Sequence, residues 1–251
     1  MIISQFPQRR TKNLLINAGF RVNQRVYVSG TATAAADEYT LDRWRVLVLG
    51  ESITFPPLEA DNTITAPAGG VGQKIESLNI KGGVYTVQWG GTANCKVNGT
   101  ARKTGESFVI AADELVDVVF YGGTVNKPQI EEGSVQTGFE FVPIGSDKTQ
   151  CGRFYERGSF AVFNQEPAHV SSRDVYRVFF NIEKRGLATM VCRDNLGVAG
   201  KVTIYSTVSA GPVSGINAMN TGVSKYGFTG GKNEAVTSYG VIFDWEADAE
   251  L

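Results

Sequence analysis

The chain has 251 residues, 42% hydrophobic and 20% charged, which is enough for one large domain or two smaller ones with apolar cores. Its 24 basic and 25 acidic side chains give a formal net charge of −1, which excludes a global field for binding nucleic acid or an anionic membrane. No apolar run approaches the roughly 20 residues of a membrane-spanning helix, and the first residues lack the pattern of a secretory signal. We therefore expect synthesis in a cytoplasm, no membrane insertion and no nucleic-acid partner.

The N-terminal part shows short apolar runs rather than helical periodicity. The basic cluster at residues 8–12 is expected to be a solvated arm or a docking strand for a partner. Residues 12–25 contain leucines and a phenylalanine that need burial, so they are predicted to open the first sheet, and residues 29–39 form a polar surface loop. Residues 42–49 alternate, with Trp44 on one face and two arginines on the other, and are predicted as a strand.

Three further β patterns follow in the first half of the chain. Residues 83–90 place Tyr85, Val87 and Trp89 on one face, residues 115–121 run into a Gly-Gly pair, and residues 138–143 alternate again. The Asn-Gly pair within residues 97–100 is a strong hairpin signal. Short strands separated by frequent turns predict a jelly-roll sandwich over residues 1–145.

A different composition marks residues 146–158, which are predicted to form a short helical connector that Gly158 ends. The β pattern then resumes, with glycine-rich turns at 197–200 and 229–231. The predicted strands of this part are residues 176–182, 188–193, 201–207 and 236–245. The sequence thus predicts an all-β protein: an N-terminal jelly roll, the connector, and a C-terminal β-sandwich over residues 159–251.

Several stretches form an ordered series of motifs. They are NLLINAGFRVNQR (13–25), YTLDRW (39–44), KPQIEEGSVQTGF (127–139), FVP (141–143), CGRFYER (151–157) and WEADAEL (245–251). In this order they resemble a family of phage and prophage tail-fibre proteins that carry a carbohydrate-binding-module-like jelly-roll domain. The resemblance covers residues 13–157 and, beyond them, only the final strand.

The resemblance implies a bacteriophage virion protein, on the tail or particle surface, that binds the host cell surface without catalysis. It implies a homotrimer, with other tail or baseplate proteins and a bacterial surface polysaccharide as partners. The alternative is a structural virion protein, in the decoration, collar or baseplate, that binds only other phage proteins. A depolymerase ranks third, because the sequence places no pair of carboxylates in a cleft.

Aromatic residues beside turns are the candidate ligand contacts. These are Tyr121, which precedes a Gly-Gly pair, and Tyr226 and Phe228, which precede Gly230 and Gly231. Trp44 and Trp89 also have faces on which a sugar could stack, but they alternate in phase with valines, and we expect them to fill the core.

Residues for catalysis, cofactors or metals are not predicted. Glu131 and Glu132 are adjacent, so on a strand they point to opposite faces and fail as a glycosidase pair; local hydrogen bonds in the following turn are their expected role. His169 is the only histidine and lacks a nucleophile elbow, and neither a phosphate-binding loop nor a calcium loop is present. The cysteines are odd in number and far apart, and we expect buried free thiols: Cys95, Cys151 and Cys192.

Overall fold

The computed structural model describes residues 12–57, 63–163, 169–171, 174–206, 211–234 and 236–251, with the backbone alone at 169–171 and 237. The basic cluster at 8–12 therefore lies outside the described residues except for Lys12. The described chain is mostly antiparallel strands with a single α-helix, and the predicted all-β class is confirmed. It divides into two compact units, Met1–Lys148 with Leu251, and Thr149–Glu250.

The first unit is built from short antiparallel strands. They are β1 (Glu38–Tyr39), β2 (Arg45–Val46), β3 (Ile64–Ala66), β4 (Val71–Ile75), β5 (Lys81–Gly90), β6 (Asn94–Val97), β7 (Thr100–Arg102), β8 (Glu106–Ala112), β9 (Val116–Tyr121) and β10 (Gly123–Glu132), with a 3₁₀ turn at Ser77–Asn79. Among the described residues they form a six-stranded sheet, β1-β2-β4-β9-β6-β7, and a four-stranded sheet, β3-β10-β5-β8. From β3 to β10 the chain passes repeatedly from one sheet to the other, as in a jelly roll.

Apolar side chains of both sheets form the core of this unit. The buried residues contributed by the strands include Ile64, Val71, Ile75, Tyr85, Val87, Cys95, Val97, Phe108, Ile110, Val116, Val118, Phe120, Val125 and Ile130. Trp44 is fully buried, with its ring centroid 5.0 Å from that of Phe20, and Trp89 is partly buried against the edge of Phe120. Both tryptophans therefore pack with the core, as predicted.

The segment before the first sheet is irregular where a strand was predicted. Residues 12–25 contain no strand; Leu14 N–H donates to the Ile130 carbonyl at 2.9 Å, and the Asn17 side chain accepts from Val22 N–H at 2.9 Å. The strand predicted at 42–49 is reduced to β2. Arg45 is buried because its guanidinium is paired with Asp117 of β9, at 2.7 Å, as well as with Asp37.

The strand predicted at 138–143 is also absent. This part of the chain crosses β5 and β10 and hydrogen-bonds to their side chains instead of pairing with a strand. Glu140 N–H donates to Gln129 Oε1 at 2.8 Å, and Gln88 Nε2 donates to the Thr137 carbonyl at 2.6 Å. Polar side chains of β5 and β10 thus satisfy backbone groups that a sheet partner would otherwise satisfy.

The helix of the connector, α1, spans Ile144–Gly152, so it begins before the predicted segment and ends well before Gly158. Asp147 lies in its first turn and accepts from Arg21 Nη2 at 3.1 Å. Gly158 belongs to a strand, where a Cβ would lie 2.7 Å from the indole of Trp245, and the prediction that it ends the helix was wrong. No helix in the described part of the chain is both long and apolar enough to cross a bilayer.

The second unit contains β11 (Tyr155–Phe163), β12 (His169–Ser171), β13 (Asp174–Phe179), β14 (Thr189–Arg193), β15 (Lys201–Tyr205), β16 (Pro212–Ser224), β17 (Gly227–Lys232), β18 (Val236–Ser238) and β19 (Gly240–Asp248). The sheet order is β11-β19-β15-β16-β17-β13, with β14 also paired to β19, and β12 pairs with β18. The turn predicted at 229–231 lies within β17, where a Cβ on Gly231 would collide with the Asp174 carbonyl.

This long sheet curls into a half-barrel, so one sheet supplies the layers where a two-sheet sandwich was predicted. Phe160 of β11 and Tyr176 of β13 come from its two end strands, and their ring centroids are only 5.4 Å apart. The enclosed core includes Val178, Phe180, Cys192, Val202, Ile204, Ile216, Phe228, Val241, Phe243, Trp245 and Ala247.

Candidate functional site

Two exposed aromatic side chains occupy neighbouring backbone positions at the β13 end of the curled sheet. Phe179 ends β13 and is 69% exposed, and Tyr226, in the turn between β16 and β17, is 60% exposed. Phe180 N–H donates to the Tyr226 carbonyl at 3.0 Å, and Phe179 is the cross-strand partner of Gly227. The pairing of β13 with β17 therefore brings the backbones of both aromatic residues together.

The local sequence explains why these side chains face outward. Along β13 the side chains alternate, so that Val178 is buried in the core and Arg177 and Phe179 are exposed. Gly227 has a φ of 157° and a Cβ there would lie 2.2 Å from the Val178 carbonyl, so its lack of a side chain permits the close approach of β17 to β13. Ser224 Oγ accepts from Tyr226 N–H at 3.2 Å, which fixes the turn.

Arg177 lies across the strands beside these aromatics. Its Nη1 donates to the Gly222 carbonyl at 3.3 Å and its Nη2 to Ser224 Oγ at 3.2 Å, and its guanidinium carbon is 5.8 Å from the Phe179 ring centroid. We call the group formed by the exposed Arg177, Phe179 and Tyr226 and the half-buried Ser224 the Tyr226 surface. It combines apolar ring faces with a positioned cation.

Phe228, the second residue predicted here, is not a ligand contact. It is fully buried, with its ring centroid 5.7 Å from that of Trp245 and 6.1 Å from that of Phe180. Phe228 points inward from β17, and only Tyr226, in the preceding turn, is open to solvent. The role of Phe228 is therefore core packing, and the prediction of a surface role was wrong.

Tyr121, the third predicted residue, belongs to the first unit, whereas the residues of the Tyr226 surface belong to the second. It ends β9, is half-buried, and stands opposite the exposed Asn94 of β6. The Lys96 ammonium lies 4.8 Å from its ring centroid. Because the lysine covers the ring, a sugar that stacked on that face would have to displace it, and Tyr121 offers a weaker platform than Tyr226.

Sequence reasoning missed Arg177 and Phe179. The predicted strand at 176–182 included both residues, but it did not fix which side chains face the core. The signal is the alternation itself: once Val178 is assigned to the core, its neighbours on the strand must face solvent.

Glu131 and Glu132 do not form a pair of carboxylates that could act together in catalysis. Glu131 is buried and accepts from Thr137 N–H at 2.8 Å and Thr137 Oγ1 at 2.7 Å, whereas Glu132 is exposed and pairs with Lys81. The opposite orientation is as predicted, but the local hydrogen bonds are made by Glu131 alone, because Glu132 pairs with Lys81 of β5. The side chain of His169 lies outside the described part of the chain, in which no three His, Cys, Asp or Glu side chains are grouped as metal ligands.

The cysteines are buried free thiols, as predicted: Cys95, Cys151 and Cys192. Burial raises the pKa of Cys95 and of Cys192 to about 12. Since the thiolate is the reactive form, these two side chains are packing residues and not nucleophiles.

Comparison of the sequence with models of protein families and with curated proteins gives no match. The tail-fibre resemblance of the motifs is therefore a hypothesis to be tested by binding. The Tyr226 surface supplies the residues for that test, since it brings exposed aromatic side chains next to a positioned arginine.

Proposed function

We propose that this chain is a non-catalytic attachment component of a bacteriophage virion, a tail fibre or tail tip, that binds a glycan of the host cell surface. The observation that supports it most directly is the Tyr226 surface, with Phe179 and Tyr226 exposed at neighbouring backbone positions beside Arg177. Apolar ring faces stack on the C–H faces of pyranose rings, while polar groups at the rim bind hydroxyl groups.

An open surface of this kind binds weakly at each copy. A site of millimolar affinity contributes about −4 kcal/mol. Linking several copies makes the later binding events intramolecular and raises the overall avidity by orders of magnitude. For this reason the proposal includes the homotrimer that the sequence resemblance implies. Other tail proteins would attach the trimer to the particle.

The experiment measures binding of the intact, mass-determined protein to a panel of bacterial strains and to polysaccharides extracted from them. We expect saturable binding to some strains, no release of reducing ends, and a loss of binding of tenfold or more in Tyr226→Ala and Phe179→Ala. Tyr226→Phe retains the ring and should bind like the parent. Release of reducing ends would identify a depolymerase and contradict the proposal.

The second candidate is a structural virion protein that binds only other phage proteins. A specific observation favours it: among the described strands β13 pairs with β17 alone, so the exposed aromatics and arginine lie next to a sheet edge that a protein partner could use. A correctly folded oligomer that binds none of the strains or polysaccharides, but binds a tail protein through Tyr226, would support this candidate.

A further inference from the structure

We infer that the Tyr226 surface binds an acidic saccharide, a sugar that carries a carboxylate, and that Arg177 selects it. This inference rests on the proposed function and names the class of glycan. It follows from the position of the guanidinium, the charges around it and the exposed ring of Tyr226.

Hydrogen bonds hold the side chain of Arg177 in place, but some of its N–H groups can still bind a ligand. Its hydrogen bonds to the Gly222 carbonyl and Ser224 Oγ use one N–H group on each terminal nitrogen. The guanidinium has further N–H groups in the same plane, and these have no protein partner among the described residues. Because the side chain is already ordered, little conformational entropy is lost when a carboxylate binds it in the planar, bidentate geometry.

The positive charge of Arg177 is not neutralised by the acidic residue of its own strand. Asp174 is instead paired with the buried Lys232 at 2.9 Å and accepts from Ser238 Oγ at 2.9 Å. Lys225, beside Tyr226, is exposed and adds a second cation at the turn. A ligand at Arg177 therefore meets a guanidinium that Asp174 does not neutralise, which favours an anion over a neutral sugar.

Arg177 lies over one face of the Phe179 ring, and the exposed ring of Tyr226 is the platform that a sugar can reach. Phe179 and Arg177 share the outer face of β13, with the guanidinium carbon 5.8 Å from the ring centroid. A pyranose with a carboxyl substituent presents an apolar C–H face and an anion on the same residue. We therefore expect the C–H face to lie on the Tyr226 ring while the carboxylate binds Arg177.

The test uses an immobilised panel of purified bacterial capsular and O-antigen polysaccharides, neutral and acidic. Each acidic member is also present with its carboxylates reduced to alcohols. We expect binding only to acidic members, a loss of at least tenfold on reduction, and a further decrease with salt for the native forms alone.

Arg177→Gln should give the same loss as carboxyl reduction, and Arg177→Lys should retain part of the binding. Arg193→Gln is the matched control, because Arg193 is also a surface arginine of this unit but pairs with Glu246. Melting temperatures of all variants exclude misfolding as the cause.

Four results would overturn the inference. Equal binding to native and reduced polysaccharides, or equal binding to neutral members, contradicts the selection of carboxylates while the attachment function stands. Unchanged selectivity in a folded Arg177→Gln variant contradicts the role of this residue. Binding to no member by the intact oligomer contradicts the attachment function itself.

Discussion

Glu131 shows how a buried charge in the first unit is stabilised. Burial by itself would raise the pKa of this carboxyl group, but hydrogen bonds from Thr137, Lys12 and Gln129 outweigh burial and lower it. The carboxylate oxygens thus link β10 to Thr137, which follows it in the chain, and to Lys12, which precedes the first strand. The buried carboxylate therefore fixes the segment that follows β10 in the first unit.

This network makes the stability of the first unit depend on pH. The pKa of Glu131 in the folded protein lies below its ordinary value of 4.5. Its contribution is therefore complete above that pH and is lost as the pH falls through the folded-state pKa. We expect Glu131→Gln to lower the free energy of unfolding by about 1–3 kcal/mol at pH 7, because Thr137 donors lose their charged acceptor.

Urea unfolding at pH 7 and at pH 3 checks this prediction. The difference between the parent and Glu131→Gln should shrink at the lower pH, because pH 3 lies below the ordinary pKa of 4.5 and the unfolded chain then binds the proton. Glu132→Gln, a change at the exposed neighbour, should have little effect at either pH. A Glu131→Gln effect that is the same at both pH values would contradict the account.

At the scale of elements, the pairing of β11 with β19 depends on Gly158. It is the cross-strand partner of Trp245, whose indole lies over the glycine, and an added Cβ would come within 2.7 Å of the ring. The glycine thereby gives the tryptophan its position in the core of the half-barrel. A side chain at this position and the present packing of Trp245 are incompatible.

We expect Gly158→Ala to displace the indole and to lower the free energy of unfolding by about 1–3 kcal/mol. Gly186→Ala is the matched control, because a Cβ there meets no atom within 4 Å. Denaturant titrations followed by tryptophan fluorescence measure both variants. Equal stabilities of the two variants would show that Trp245 is free to move.

Elements whose conformation is determined by neighbouring residues in the chain could be predicted from the sequence. The Asn98-Gly99 pair forms the predicted turn between β6 and β7, with φ of 48° and 76°, because these residue types tolerate the left-handed region. By contrast β16 was not predicted, since it contains few large apolar residues and its backbone is paired on both sides by distant strands.

The candidate site was predictable only in part, for the same physical reason. Tyr226 could be found from its place beside a turn, but the inward position of Phe228 follows from its packing against Phe243 and Trp245, which are distant in sequence. Arg177 and Phe179 likewise required the register of β13 on β17. The register of a strand depends on its partner strand. A short sequence pattern does not exclude a shift of one residue, which would turn every side chain to the other face of the sheet.

At the scale of the whole molecule, two separate cores underlie the two units. Trp44 lies in one and Phe228 in the other. We expect Trp44→Ala and Phe228→Ala each to cost about 3–5 kcal/mol, because each leaves a large cavity. In calorimetry, each variant should lower the midpoint temperature of a different unfolding transition. If both variants shift the same single transition, the two cores do not unfold independently.

The measurement that tests the attachment function most directly is equilibrium binding of the intact protein, Tyr226→Ala and Tyr226→Phe to the surface polysaccharide of a susceptible strain. We expect saturable binding by the parent and by Tyr226→Phe, and a loss of at least tenfold in a folded Tyr226→Ala variant. Binding that is unchanged in Tyr226→Ala would contradict the site, and no binding by a folded parent oligomer would contradict glycan attachment.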